Sequence, residues 1–226
     1  MLKNKDIIEP APDTRDITQR SRMMDAAEKR LSHFDEELAN GYKILKHQSK
    51  TVTFFGSARV SRVHPYYKKA RELARVLAED GFTIVTGGGA GIMKAGNHGA
   101  HDAGKNTVGL NIQLPYEQIL NEYVSENVSI HYFFTRKVML AFFADAYIYF
   151  PGGFGTLDEL FEVLTLIQTG KMPQVPVVLV GNKYWKSLDK FITSQIVKNK
   201  YAHFIDSKLY TITEDPKKIR KIISRI

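Results

Sequence analysis

The 226-residue chain is 43% hydrophobic and 25% charged, an ordinary globular composition that excludes a disordered polymer. It has no cysteine, which removes disulfides, thiolate nucleophiles, Fe–S clusters and cysteine zinc sites together. The net charge of +8 invites a polyanion partner, but residues 51–170 sum to −1 and the whole excess lies in 171–226, with twelve Lys/Arg against four Asp/Glu.

Residues 1–22 are polar and aperiodic, carry Pro10 and Pro12, and are expected to form a mobile arm. They lack the apolar core of a signal peptide, and no run in the chain nears the ~18 apolar residues of a membrane span, so a cytoplasmic protein is expected. In the segment 23–49, Met24, Ala27, Leu31, Phe34, Leu38, Tyr42 and Leu45 recur in steps of three and four, which predicts an amphipathic helix with only Gly41 against it. Its apolar stripe is suited either to its own domain or to a partner copy.

From residue 50 to 226 the pattern becomes strand, loop, helix, repeated. Strands are expected at Thr51–Phe55, Phe82–Thr86, Thr107–Ile112, Val128–Phe134, Ala146–Phe150 and Val175–Val180, with a further short one at Leu209–Thr213. Helices are expected at Tyr66–Glu79, Ile92–Ala103, Thr135–Ala144, Thr156–Gln168, Trp185–Lys198 and Asp215–Ile226. Apolar strands alternating with helices imply an α/β fold: a doubly wound, Rossmann-like parallel sheet with helices on both faces. Such sheets bind ligands beyond the carboxyl ends of their strands. Glycines cluster at those ends: Gly56, then Gly87, Gly88 and Gly89, then Gly152, Gly153 and Gly155.

Each cluster has its own chemistry. The run Gly87-Gly88-Gly89-Ala90-Gly91 leads from a strand into a helix and suits an anion at the helix N-terminus, although its spacing is not GxGxxG. Gly99–Asn106 approaches a P-loop, but Asn106 replaces the magnesium-binding Ser/Thr and Gly104 reads as a helix C-cap. In Pro151–Glu159, Thr156 is placed to cap a helix, with Glu159 at its third position as in a capping box and Glu162 one turn on. Arg136 and Lys137 stand among Phe133, Phe134, Val138 and Leu140, facing the crevice if Thr135 begins a helix. The seven histidines offer no metal-ligand spacing, and neither a metal nor a cofactor is expected.

These residues resemble the Lonely Guy family, long labelled possible lysine decarboxylases. PGGFGTLDE at 151–159 matches its PGGxGTxxE signature, Arg136-Lys137 its RK pair, and GSAR at 56–59 and GGGAGIM at 87–93 its glycine segments. The resemblance spans roughly residues 50–200 and is closest to the longer bacterial branch. It implies cleavage of the N-glycosidic bond of a nucleoside 5′-monophosphate, AMP or an N6-modified AMP, to free base and ribose 5-phosphate. It also implies that Arg136 and Glu159 are the catalytic pair and that Gly152, Gly153, Gly155 and Thr156 hold the phosphate. Gly56, Ser57, Gly87, Gly88 and Gly89 would line the nucleotide site beside Lys137 and Glu162, in a homodimer or larger assembly.

Three rivals follow from the same residues. A non-catalytic nucleotide-binding module needs only the glycine turns. A decarboxylase would need a lysine imine to pyridoxal phosphate, and nothing marks Lys94 or Lys137 for that role. A nucleic-acid interface on the basic last quarter lacks interleaved aromatics, so that charge reads as solvated surface.

Overall fold

A computed structural model describes residues 17–113 and 119–224. Seven strands form one sheet: β1 (Thr51–Phe55), β2 (Thr83–Thr86), β3 (Thr107–Ile112), β4 (Glu126–Ile130), β5 (Ala146–Tyr149), β6 (Val177–Leu179) and β7 (Thr211–Ile212). Every pairing is parallel, in the order β4-β3-β2-β1-β5-β6-β7. The helices are α1 (Ile17–Leu45), α2 (Pro65–Glu79), α3 (Ile92–Asp102), α4 (Phe133–Phe142), α5 (Phe154–Gln168), α6 (Asn182–Phe191) and α7 (Pro216–Ile223).

The central strands are buried on both faces, so their side chains alternate between two cores. Val52, Phe54, Ile84, Ile148 and Phe150 pack with α2, α3 and α7. Phe55, Val85, Tyr147 and Tyr149 pack with α1, α4, α5 and α6. This is the doubly wound sheet expected from the sequence. The strand order reverses between β1 and β5, whose registers pair Val52 with Ala146 and Phe55 with Tyr149. A crevice therefore opens beyond the carboxyl ends of those two strands. One bond closes its base, from the Ser57 N–H to the Pro151 carbonyl at 3.1 Å.

Several boundaries depart from the local pattern. The fourth strand stops at Ile130, and Phe133 and Phe134, aromatics that locally favour strand, instead open α4; tertiary contacts override β-propensity. At α5 the N-cap is Gly153, with φ −93° and ψ −157°. Thr156 is thus the third residue of the helix rather than its cap, and Glu159 sits in the second turn, so no capping box forms. The expected helix Trp185–Lys198 starts at Asn182 and passes into a π-helical segment, Ile192–Val197.

The segment 1–22 is helical from Ile17, while residues 1–16, and residues 225–226 of the expected closing helix, lie outside the described residues. The α1 stripe packs on its own domain through Leu38, Tyr42, Ile44 and Leu45. Gly41, the exception in that stripe, is the point of closest approach: a Cβ there would stand 1.7 Å from the Met139 sulfur on α4.

A glycine also sets the packing of α3 on α2, where a Cβ at Gly99 would lie 2.0 Å from the Arg71 carbonyl oxygen. That neighbour is backbone and cannot step aside. Gly99→Ala is expected to lower the unfolding free energy by about 1–3 kcal/mol in chemical denaturation, the usual cost of overpacking.

Candidate active site

The crevice holds a cavity of about 830 Å³. Of the residues singled out in the sequence, Gly56, Ser57, Gly87, Arg136, Gly152, Gly153, Gly155, Thr156 and Glu159 line it.

One wall is the start of α5. Its cap residue makes no side-chain bond, and the first bond of the helix ladder runs from Leu157 N–H to the Gly153 carbonyl at 3.2 Å. The N–H groups of Phe154, Gly155 and Thr156 therefore have no acceptor within the helix. Open space lies beyond the α-carbons of Gly153 and Gly155, so nothing stands between those donors and the cavity. Gly152 instead makes room for a neighbour, since a Cβ there would fall 2.0 Å from the Thr156 hydroxyl oxygen, which tucks beneath the turn. Tyr184 donates its hydroxyl proton to the Gly152 carbonyl at 2.7 Å and fixes the turn from outside. Free donors at a helix N-terminus on a preformed turn make an anion site.

The opposite wall carries a cation. Arg136 projects from the first turn of α4 and donates from Nε to the Leu110 carbonyl at 2.8 Å and from Nη2 to the Gly87 carbonyl at 3.4 Å. A Cβ at Gly87 would stand 1.8 Å from Nη2, so the glycine leaves room for the guanidinium where it lies. Burial lowers the Arg136 pKa from its ordinary value, and the charge of Glu159 opposes that shift.

Glu159 is 9% exposed, and its Oε2 is buried without a hydrogen-bond partner. Burial pushes its pKa up to about 7; Arg136 pulls the other way, and Glu162 adds to the rise. No ion pair within 4.0 Å joins Arg136 to Glu159 among the described residues, so a buried cation and a buried carboxyl share the cavity without neutralising one another. The Tyr149 hydroxyl donates to the Glu159 carbonyl at 3.1 Å and ties α5 to the sheet at this residue.

The other four expected residues are not among those that line the cavity. Lys137 makes ion pairs at 3.0 Å with both Asp158 and Glu162. Burial disfavours its charge, but the two carboxylates outweigh burial and raise its pKa. Lys137 and Glu162 thus clamp α4 to α5 one residue from Arg136 and three from Glu159. Gly88 and Gly89 are held from the rear by Asn121, whose Nδ2 donates to their carbonyls at 2.9 and 3.0 Å. Asn121 also donates to Asn97 Oδ1, which accepts from Thr86, giving the turn a buried polar support. Lys94 pairs with Glu122 at 2.7 Å, and no lysine lines the cavity, so neither lysine is placed to form an imine there. No three His, Asp or Glu side chains converge as metal ligands among the described residues. None of the described helices is long and apolar enough to cross a membrane.

Asn121, Tyr184, Tyr66 and His64 had no local signature. His64, the cap of α2, and Tyr66 and Tyr184, on α2 and α6, line the cavity, and Tyr184 and Asn121 act through bonds to Gly152 and Gly88 across more than 30 residues of chain.

Comparison with known proteins places the chain in a family. A family model described as "Possible lysine decarboxylase" matches residues 93–223, more than half of the chain. The chain belongs to that family, the Lonely Guy family. It is 40% identical over 123 residues to the cytokinin riboside 5′-monophosphate phosphoribohydrolase LOG of Oryza sativa subsp. japonica, covering 54% of this chain and 50% of the rice protein. It is 32% identical over 149 residues to a protein of the same description, LOG2, from Arabidopsis thaliana, covering 65% of this chain and 70% of that one. The chain therefore spans half the length of the rice relative. Among solved structures, the molybdenum cofactor carrier protein of Chlamydomonas reinhardtii superposes with a TM-score of 0.58 at 22% identity, over 78% of this chain and 96% of the other, a likeness of fold.

The raised carboxyl of Glu159 carries a stability cost with a definite sign. Its native pKa of about 7 exceeds the ordinary 4.5, so the native state holds the proton more tightly than the unfolded chain. Stability tied to this group is present below pH 4.5 and is lost as pH rises through 7. Glu159→Gln is expected to raise the unfolding free energy at pH 8 by roughly 1–3 kcal/mol, with the gain vanishing at pH 4 in urea titrations.

Proposed function

We propose that the protein is a phosphoribohydrolase that cleaves the N-glycosidic bond of a nucleoside 5′-monophosphate. The carrying observation is Glu159: a buried carboxyl with a free oxygen and a pKa of about 7, within one cavity with an uncapped helix N-terminus. The names of the rice and Arabidopsis relatives support the reaction class.

The substrate phosphate is taken by the N–H groups of Gly155 and Thr156 and by the Gly152–Gly153 turn, with the helix dipole in favour. That contact puts the ribose toward Glu159. As the bond from C1′ to the base lengthens, positive charge builds at C1′. The ionised Glu159 stabilises that charge and orients a water for attack; the water oxygen bonds to C1′ as the glycosidic electron pair leaves with the base. The proton released by the water passes to Glu159 and then to solvent or the departing base. Arg136, held off Glu159 by the Leu110 and Gly87 carbonyls, keeps that carboxyl ionisable at neutral pH and adds a positive charge to the phosphate's surroundings. AMP and N6-modified AMP are the substrates we assign.

Incubation of the protein with AMP, N6-isopentenyl-AMP and the other nucleoside monophosphates, followed by chromatography of the free base, tests the reading. Adenine or its N6-substituted form is expected. Glu159→Gln is expected to lower kcat by ~10²-fold or more while nucleotide affinity persists. The wild-type kcat/KM is expected to rise through about pH 7, as the ionised carboxylate is the working form, and Glu159→Gln to abolish that limb. Tight AMP binding with no base released at high protein concentration would instead establish a non-catalytic nucleotide-binding module.

A further inference from the structure

We propose that the N-terminal helix is a working part of the site, with Glu37 on α1 acting as a positioning residue for Arg136. Glu37 lies outside the segment 93–223 matched by the family model.

Helix α4 starts badly on its own. Its N-cap residue, Tyr132, makes no side-chain cap bond, and its first turn carries no acidic residue to meet the helix dipole. It opens on two phenylalanines, Phe133 and Phe134, that are 59% and 48% exposed. Such a start is prone to fray, yet the fourth residue of the helix is Arg136.

Glu37 braces this start from α1. Its Oε1 accepts from the His131 backbone N–H at 2.7 Å, and its Oε2 from the Thr135 hydroxyl at 2.6 Å. Thr135 is fully buried, and its hydroxyl also lies 2.9 Å from the Tyr132 carbonyl, so the carboxylate is joined to both sides of the N-cap. One α1 side chain thereby braces the chain on either side of the N-cap and brings a negative charge to the positive end of α4.

The carboxylate is held at that point by contacts along both helices. The Phe34 ring stands edge-on to Tyr132 at 4.4 Å and to Phe134 at 4.6 Å. One turn beyond Glu37, Gly41 admits the Met139 sulfur, and Tyr42 meets Phe143 at 5.0 Å between ring centres. Arg136 immediately follows Thr135 in a rigid helix, and its guanidinium depends on two carbonyls at 2.8 and 3.4 Å. A small rotation of the first turn breaks those bonds.

The inference rests on the phosphoribohydrolase reading for its kinetic test. Glu37→Ala is expected to lower kcat/KM for AMP by roughly 10-fold or more, the scale of a small misplacement at a reacting centre. Glu37→Gln, which retains an acceptor for the His131 N–H, is expected to recover most of that loss. Asp35→Ala, an exposed change on the same helix, is the control. The decisive measurement is the double variant: with Arg136→Ala already present, Glu37→Ala is expected to cost little more. Equal losses from Glu37→Ala in both backgrounds, or no loss in the wild-type background, would overturn the proposal. Failure of the wild type to release base sinks the reaction assigned above and not this inference. The same four-protein cycle is then read on AMP affinity, where additivity overturns it and non-additivity supports it. Hydrogen exchange of the α4 amides gives a readout free of nucleotide: faster exchange across 133–136 in Glu37→Ala is expected, and unchanged exchange overturns the bracing role.

Discussion

The site depends on one topological constraint, the reversal of strand order between β1 and β5. Two adjacent parallel strands that send their chains in opposite directions cannot cover their own carboxyl ends. The Ser57 N–H to Pro151 carbonyl bond closes the floor of that opening. Above it, the chain leaving β5 turns through glycines and enters α5, so unpaired helix donors meet the crevice by construction. The same turn fixes the direction in which Glu159 points. It lies one helical turn inside α5, below the donors and against the sheet, where Tyr149 holds its carbonyl.

A second consequence is electrostatic. The cavity wall contains a guanidinium and a carboxyl, both largely removed from water, and neither is cancelled by contact with the other. Buried charges without direct partners are costly, and folded proteins retain them chiefly where chemistry needs them. Lys137 meets two carboxylates at 3.0 Å only a residue away, so the fold does form short ion pairs in this region. The contrast within one stretch of sequence separates the clamp, Lys137 with Asp158 and Glu162, from Arg136 and Glu159, which line the cavity without a direct ion pair. Neutralising Glu159 through a direct pair would stabilise the native state and leave no unpartnered carboxyl oxygen in the cavity wall.

Much of this was legible in the sequence. Apolar runs bounded by glycines located the strands, and the coincidence of three glycine clusters with strand ends located the crevice. What stayed hidden was non-local. Residues 128–134 are aromatic and β-branched enough to be read as strand throughout, yet helix begins at Phe133, where Glu37 of α1 meets the His131 N–H and the Thr135 hydroxyl. Thr156 and Glu159 have the spacing of a capping box, but Gly153 takes the cap, because extended φ and ψ ahead of Phe154 start the helix two residues early. Gly88, Gly89, Lys137 and Glu162 belong to the right motifs and are not among the residues that line the cavity. Motif membership gives the turn or helix a residue occupies; which side of it faces ligand is decided by neighbours such as Asn121 and Asp158.

The separation of Arg136 and Glu159 is the quantity all these neighbours jointly set. Arg136 is positioned by β3 through the Leu110 carbonyl, by the turn after β2 through Gly87, and by α1 through the first turn of α4. Glu159 is positioned by β5 through Tyr149 and by the cap at Gly153. The Lys137 clamp then couples the two helices directly. Helices α4 and α5 lie on the same face of the sheet, so without the clamp their spacing would rest on side-chain packing, which adjusts by fractions of an ångström at small cost. Ion pairs and carbonyl bonds have narrower distance and angle requirements. The positions of Arg136 and Glu159 in the cavity wall are therefore fixed by polar contacts drawn from several elements, and the N-terminal helix, remote in sequence, is one of them.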